Sequence, residues 1–182
     1  MNNSKISVRY SRALFESALD KKMLEMVYND MIFISELCAL PDMKELLMSP
    51  IIVPSKKTAI LHKVIGKNIQ DISLSLVDLV VKHGRESFLP AIARVFIHKV
   101  KEHNGITESV LTTAVKVDDK IKKKVIDLIS GIFKTKVDLK EIVDKEIIGG
   151  FILRIDDSYI DASVKNKLRK IEKELKSGSL SA

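Results

Sequence analysis

The distribution of proline and glycine along the chain of 182 residues constrains its fold more than any other feature. All four prolines lie before residue 105: Pro41, Pro50, Pro54 and Pro90. The Gly149-Gly150 pair and the densest β-branched segments lie after that point. Proline occurs at the ends of helices, whereas β-branched runs favour strands. The shift predicts two domains, one over residues 1–105 and one over residues 106–182.

The first 105 residues carry a helical pattern. Their apolar residues recur at i, i+3 and i+4 spacing, which is typical of helices that bury one face. We predict six helices, over residues 4–19, 22–40, 42–48, 55–66, 71–84 and 90–103. Asp42, Ser55 and Asp71 are the predicted N-caps, and Pro41 is predicted to end the second helix. Six helices joined by short loops predict a bundle.

The predicted fifth helix is apolar around most of its circumference. Its apolar residues are Leu74, Leu76, Val77, Leu79, Val80 and Val81. Such a helix either lies at the centre of a core or has a second face that another molecule covers. Two interpretations therefore stay open: a buried central helix, or a helix whose outer face is a docking groove for a partner helix.

The remaining residues mix strand and helix patterns. Residues 107–117, 136–143 and 147–155 are predicted strands, and residues 159–161 are predicted to return beside the last of them as a hairpin. Asp118 is predicted to cap a helix between the first two strands. The apolar stripe of that helix is predicted to be Ile121, Val125, Leu128 and Ile132. The fold class predicted is α+β, mainly α: a six-helix bundle followed by a small mixed α/β domain.

A last helix is predicted after the hairpin, with Asp161 and Ser163 as candidate caps. Its apolar residues form one narrow seam: Val164, Leu168, Ile171 and Leu175. Helices with such a seam pack on a sheet or pair with another helix. We expect this seam to be at least partly core.

The sequence contains no recognisable constellation for catalysis. The single cysteine, Cys38, excludes a disulfide framework and a cysteine-based zinc site. The four histidines are not spaced as metal ligands, and no glycine-rich phosphate loop is present. We therefore expect a binding or structural protein with no catalytic residue, no cofactor and no metal. No stretch reaches the ~20 apolar residues that a membrane-spanning helix needs.

The charge balance leaves two alternatives open. The chain carries 31 basic and 24 acidic side chains, a net charge of +7. A basic helical protein that associates with nucleic acid is one alternative, although the aromatic residues do not alternate with basic ones as base stacking requires. An enzyme that uses the acidic turn formed by Asp156, Asp157 and Asp161 is a weaker one. Turn and cap roles explain these carboxylates better.

Several segments resemble, in order, the motifs of one family. Residues 9–16 (RYSRALFE) resemble its opening helix with the pattern R-Y-A-x-A-L-F, and residues 49–57 (SPIIVPSKK) resemble its proline-containing loop. Residues 83–96 resemble the turn into its sixth helix, and residues 110–114 (VLTTA) resemble its V-x-T-A strand. The most specific match is residues 148–168, which resemble G-G-x-x-[IV]-x-x-G-D-x-x-I-D-G-S-V-x-x-x-L. The chain thus resembles the delta subunits of bacterial F-type ATP synthase, which are similar to the mitochondrial oligomycin-sensitivity-conferring protein.

The resemblance implies a non-catalytic subunit of the peripheral stalk, or stator. Such a subunit links the α3β3 catalytic head to the membrane-anchored b subunits, so that rotor torque is resisted during ATP synthesis. The first domain is expected to bind the N-terminal helix of an α subunit, and the second the C-terminal ends of the b subunits, with the β subunit as a further candidate. The expected location is the cytoplasmic face of the bacterial inner membrane, reached only through the complex. Neither nucleic acid nor an obligate homo-oligomer is expected.

The resemblance also assigns roles to individual residues. The groove for the α-subunit helix is expected between the first and fifth helices. Its expected residues are Tyr10, Ala13, Leu14, Ser17, Leu76, Leu79, Val80 and His83. Structural roles are expected for the residues of the most specific motif: Gly149, Gly150, Asp157, Asp161, Ser163 and Leu168.

Overall fold

The computed structural model describes residues 5–156 and 158–176 and divides the chain into two compact units. The units are Met1–Val100 and Lys101–Ala182. The described residues form eight α-helices and a four-stranded mixed sheet. The predicted fold class, α+β and mainly α, is confirmed.

Six α-helices account for most of the first unit, as the apolar periodicity predicts. They are α1 (Lys5–Asp20), α2 (Leu24–Ala39), α3 (Pro41–Met48), α4 (Pro54–Ile65), α5 (Asp71–Lys82) and α6 (Leu89–His103). A 3-10 turn, Glu86–Phe88, precedes α6, whose last turn belongs to the second unit. Phe15 of α1 meets Phe96 of α6 edge-on in the core, with ring centroids 6.3 Å apart.

The predicted N-caps Asp42, Ser55 and Asp71 are wrong. Helices α3 and α4 begin with Pro41 and Pro54 in their first turn. Proline already has the backbone φ of a helix, and it lacks the N–H that would have no partner there. Pro41 therefore starts α3 as well as ending α2, and Asp71 is likewise the first residue of its helix.

A buried ion pair connects three elements of the first unit. The ammonium of Lys57, in α4, donates to Glu86 at 2.5 Å and to the carbonyl of Leu47, in α3, at 3.3 Å. Lys57 is 2% exposed, so the pair lies away from water. The Lys57 ammonium thus connects α4 to α3 and to the turn that leads into α6.

The second unit is built on a four-stranded sheet in the order β2-β1-β3-β4. Its elements are β1 (Ile106–Thr113), α7 (Asp119–Phe133), β2 (Lys136–Val143), β3 (Phe151–Ile155), β4 (Ser158–Asp161) and α8 (Val164–Lys176). Strands β1 and β2 are parallel and are joined by α7, whereas β3 is antiparallel to both β1 and β4. Asp118 caps α7 by accepting from the backbone N–H of Lys120, as predicted.

Three predictions for this unit are wrong in detail. The strand predicted from residue 147 begins at Phe151, because Ile148 and Gly150 have φ values of 69° and 74° that interrupt an extended chain. The predicted stripe of α7 is mostly exposed, since Ile129 is the buried residue of that helix and only Val125 of the stripe packs against the core. The seam of α8 is not core either, because no residue of α8 is buried.

Candidate partner-binding surfaces

The eight residues expected to line a groove between α1 and α5 separate into two groups. The buried group consists of Tyr10, Leu14, Leu76 and Val80. The exposed group consists of Ala13, Ser17, Leu79 and His83. Helices α1 and α5 contact each other, and the first group belongs to the core of the bundle, so only the second group is available at the surface.

The geometry of α1 places its exposed members on the side of α5. On a helical wheel, Ala13 and Ser17 lie on the same edge of the buried face as Tyr10. The guanidinium of Arg85, just after α5, donates to the Tyr10 hydroxyl at 3.1 Å and lies 5.8 Å from its ring centroid. The edge of α1 that carries the small residues Ala13 and Ser17 thus borders α5. Sequence reasoning missed the role of Arg85, although its place beside Gly84 in a family motif was a signal.

The packing of α5 resolves most of the ambiguity in its apolar pattern. Val77, Val80 and Val81 are fully buried, and Leu76 is 7% exposed. The interpretation as a central helix therefore explains most of its apolar residues. Leu79 is the exception at 45% exposed, with Ile72 half-buried on the same side of the helix. The apolar surface beside Ala13 and Ser17 is therefore a shallow strip and not a deep groove.

The second unit leaves half of one sheet face uncovered. Cross-strand partners share a face, so Leu111, Leu153 and Ile160 point the same way. Ile129 of α7 packs with Leu111 and Leu153 on that face, and Lys122 of α7 pairs with Glu141 of β2 at 2.7 Å. Helix α7 therefore lies toward β2, and Ile160 of β4 stays 51% exposed.

Helix α7 adds exposed apolar side chains to this unit. Ile121, Leu128 and Ile132 share one side of α7 and are 53%, 61% and 66% exposed. Among the described residues of this unit, exposed large apolar side chains outnumber the five buried ones: Leu111, Ile129, Ile147, Leu153 and Ile155. The unit has a small core of its own and a large apolar surface.

The glycine motif fixes the start of α8. Gly150 has a φ of 74°, and a Cβ there would lie 2.3 Å from the carbonyl oxygen of Ala162. The backbone N–H of Val164 donates to the carbonyl of Gly149 at 2.9 Å. Glycine is therefore required at 150 for both its conformation and its close backbone contact.

Side chains of the same motif cap α8. The carboxylate of Asp161 accepts from the backbone N–H of Ser163 at 2.9 Å, and the Ser163 hydroxyl accepts from the N–H of Asn166 at 3.2 Å. Hydrogen bonds from Ser163 hold the pKa of Asp161 below its ordinary value. Leu168 is 53% exposed, and Asp157 lies outside the described residues. The carboxylate of Asp161 thus serves the backbone, and Asp156 adopts the left-handed conformation with a φ of 46°.

Residues 5–156 and 158–176 contain no group of three side chains that could together hold a metal ion. Cys38 is buried, and burial raises the pKa of its thiol to about 11. None of the helices in the same ranges is long and apolar enough to cross a membrane.

The fold has a counterpart among solved structures. A chain of the Toxoplasma gondii mitochondrial ATP synthase hexamer aligns with a TM-score of 0.76 at 20% identity, over 94% of this chain and 98% of that one. At this identity the likeness establishes the fold alone. The protein therefore has the fold of a subunit of that ATP synthase.

The sequence comparisons define the family. The family model described as ATP synthase delta (OSCP) subunit matches residues 6–175. The chain is 36% identical to the ATP synthase subunit delta of Christiangramia forsetii over 97% of its length and 96% of the relative's. It is 34% identical to that of Parabacteroides distasonis, over 94% and 96%. The chain belongs to the ATP synthase delta (OSCP) subunit family.

Membership settles the general role of the protein. It is a structural subunit of the ATP synthase peripheral stalk and not one of the catalytic subunits, as the sequence motifs predict. The comparisons give no support to the nucleic-acid alternative.

Proposed function

We propose that the first unit holds the catalytic head by binding the N-terminal helix of an α subunit along the strip between α1 and α5. The carrying observation is that Leu79, on a helix whose other apolar residues are buried or half-buried, is exposed, as are the small residues Ala13 and Ser17 of the neighbouring α1. Small side chains allow a partner helix to approach closely, and an exposed leucine supplies an apolar contact for it. His83 lies at the end of the strip as a polar contact. The β subunit is a further candidate neighbour on the head.

We further propose that the second unit binds the C-terminal ends of the b subunits. Its small core and its many exposed apolar side chains on α7, β4 and α8 support this assignment, because exposed apolar surface marks a protein-protein interface. Together the two units would join the head to the membrane-anchored stalk and so resist rotor torque during ATP synthesis. This places the protein on the cytoplasmic face of the bacterial inner membrane, held there only through the complex.

A pair of matched substitutions tests the α-subunit site. Leu79→Asp should weaken binding of a synthetic peptide of the α-subunit N-terminal helix about 10- to 100-fold, because a charge replaces a central apolar contact. Ile60→Asp is the control, since Ile60 is 39% exposed on α4, away from α1. It should change the affinity less than about twofold by the same reasoning. Isothermal titration calorimetry gives both affinities, and circular dichroism verifies that the helices are intact. Equal affinities for the folded Leu79→Asp variant and the wild type would refute the assignment.

A further inference from the structure

Helix α8 presents an apolar seam that the described residues of the chain leave exposed. Val164, Leu168, Ile171 and Leu175 are 36%, 53%, 52% and 60% exposed. Their spacing of four, three and four residues is that of the core positions of a coiled coil. A helix of 13 residues with no buried side chain gains little from its own unit. The seam therefore has the geometry of one half of a helix pair.

The charges beside this seam are separated by sign. In a coiled coil, the residues that flank the seam are the ones that select the partner and its direction. The flanking residues are Lys165 and Lys167 in the first heptad, and Glu172 and Glu174 in the second. The flanks of the seam are therefore basic along the first half of α8 and acidic along the second half, whereas Lys170 and Lys173 lie on the outer face.

The stability of α8 does not explain this order. The helix dipole favours acidic residues in the first turn and basic residues in the last. The first turn of α8 contains no acidic residue but does contain Lys165 and Lys167. The contacts of Lys165 with Glu146 at 3.2 Å and of Glu172 with Lys176 at 2.6 Å join exposed side chains. Such pairs contribute little and are easily exchanged for a partner's charges.

We propose that α8 pairs with one amphipathic helix of the stalk and determines its direction and register by charge. The inference rests on the proposed function of the second unit and specifies the chemistry of its partner. That helix has an apolar seam of the same spacing, acidic residues beside Lys165 and Lys167, and basic residues beside Glu172 and Glu174. Inverting the partner, or sliding it by one heptad, brings like charges together, which disfavours the wrong pairing.

A second copy of this chain fits the seam less well than a stalk helix. If two α8 helices paired in antiparallel orientation, the basic flanks of each helix would lie beside the acidic flanks of the other. Four apolar side chains on a 13-residue helix, however, bury far less than the ~1,200 Å² of a stable specific interface. A longer stalk helix can extend past α8 onto other exposed apolar side chains of the unit, whereas a pair of α8 helices has only its own four apolar residues on each side.

Two double variants of the full chain test the inference. Lys165→Glu/Lys167→Glu reverses the basic flanks of the seam. Lys170→Glu/Lys173→Glu makes the same change in net charge on the outer face of α8. The probe is bacterial membranes that carry the native stalk but from which the catalytic head and this subunit have been removed. Sedimentation of labelled protein with these membranes gives the affinity at low and at high salt.

The flank variant should bind the membranes about tenfold more weakly than the wild type at low salt, and high salt should narrow the difference. The outer-face variant should stay within about twofold of the wild type. Equal weakening of both variants, or of neither, overturns the inference while leaving stalk binding intact. A wild-type chain that dimerises through α8 in analytical ultracentrifugation, with the dimer lost in the flank variant, overturns it in favour of a second copy. Absence of wild-type binding to the membranes would instead refute the proposed function of the second unit.

Discussion

Replacing Gly150 by alanine should destabilise the second unit strongly. The φ of 74° costs a residue with a Cβ about 1–2 kcal/mol. The new Cβ would also lie 2.3 Å from the carbonyl oxygen of Ala162 and 3.2 Å from the Cα of Ser163, so backbone must move. Movement there disturbs the junction between β4 and α8. The two effects together give an expected loss of about 2–4 kcal/mol in the free energy of unfolding.

A matched glycine in the same unit serves as the control. Gly131 lies inside α7, and a Cβ there would meet no atom within 4 Å. Gly131→Ala should therefore stabilise the helix by about 0.5–1 kcal/mol, because alanine loses less backbone entropy. Amide hydrogen exchange of strand β3, followed by mass spectrometry, reports the stability of this unit separately from the bundle. A Gly150→Ala variant with wild-type protection, or two variants that shift in the same direction, would refute the reasoning.

Three further predictions concern charged and reactive groups. Lys57→Met should lower the free energy of unfolding, measured by urea denaturation, by about 3–5 kcal/mol, because it leaves Glu86 buried without its counter-ion. Adding Glu86→Leu should recover much of that loss. An unaltered denaturation midpoint for Lys57→Met would contradict this reasoning. The lowered pKa of Asp161 means that its contribution to stability is present above the ordinary carboxyl pKa and is lost as the pH falls through the folded value. Asp161→Asn should accordingly reduce the dependence of unfolding on pH below the ordinary aspartate pKa, and an unchanged acid profile would count against the cap. Burial raises the pKa of the Cys38 thiol to about 11, so Cys38 should react with a thiol reagent at pH 8 only after urea unfolds the bundle. Immediate modification of the folded chain would show that the thiol is accessible.

The secondary structure could be predicted because it depends on local patterns. Apolar spacing predicted six helices in the first unit, and the Asp118 cap and the β3–β4 hairpin followed from residues close together in the sequence. The predicted caps of α3 and α4 failed for an equally local reason. Serine and aspartate are good caps, but a proline one residue earlier is a better first residue of a helix, and it moved both starts.

Periodicity alone could not show which apolar face is buried. In α7 the sequence shows a more regular apolar stripe along Ile121, Val125, Leu128 and Ile132 than along the face centred on Ile129. The position of α7 over β1 and β2 nevertheless buries Ile129 and leaves Leu128 exposed. The same holds for the groove expected between α1 and α5, where the sequence pattern could not show which apolar residues are buried. Tyr10 and Leu76 lie in the core, and Ala13 and Leu79 remain at the surface.

The amino-acid sequence by itself determined the order and kinds of elements, the two-part organisation of the fold and the family. Each of these follows from residues near one another in the chain or from motifs in a set order. Only the tertiary structure decided which apolar residues are core and which are surface. Burial depends on the direction from which distant segments approach. An amphipathic helix has the same sequence pattern whether its apolar face packs on its own chain or binds another molecule, and the exposed seam of α8 shows this.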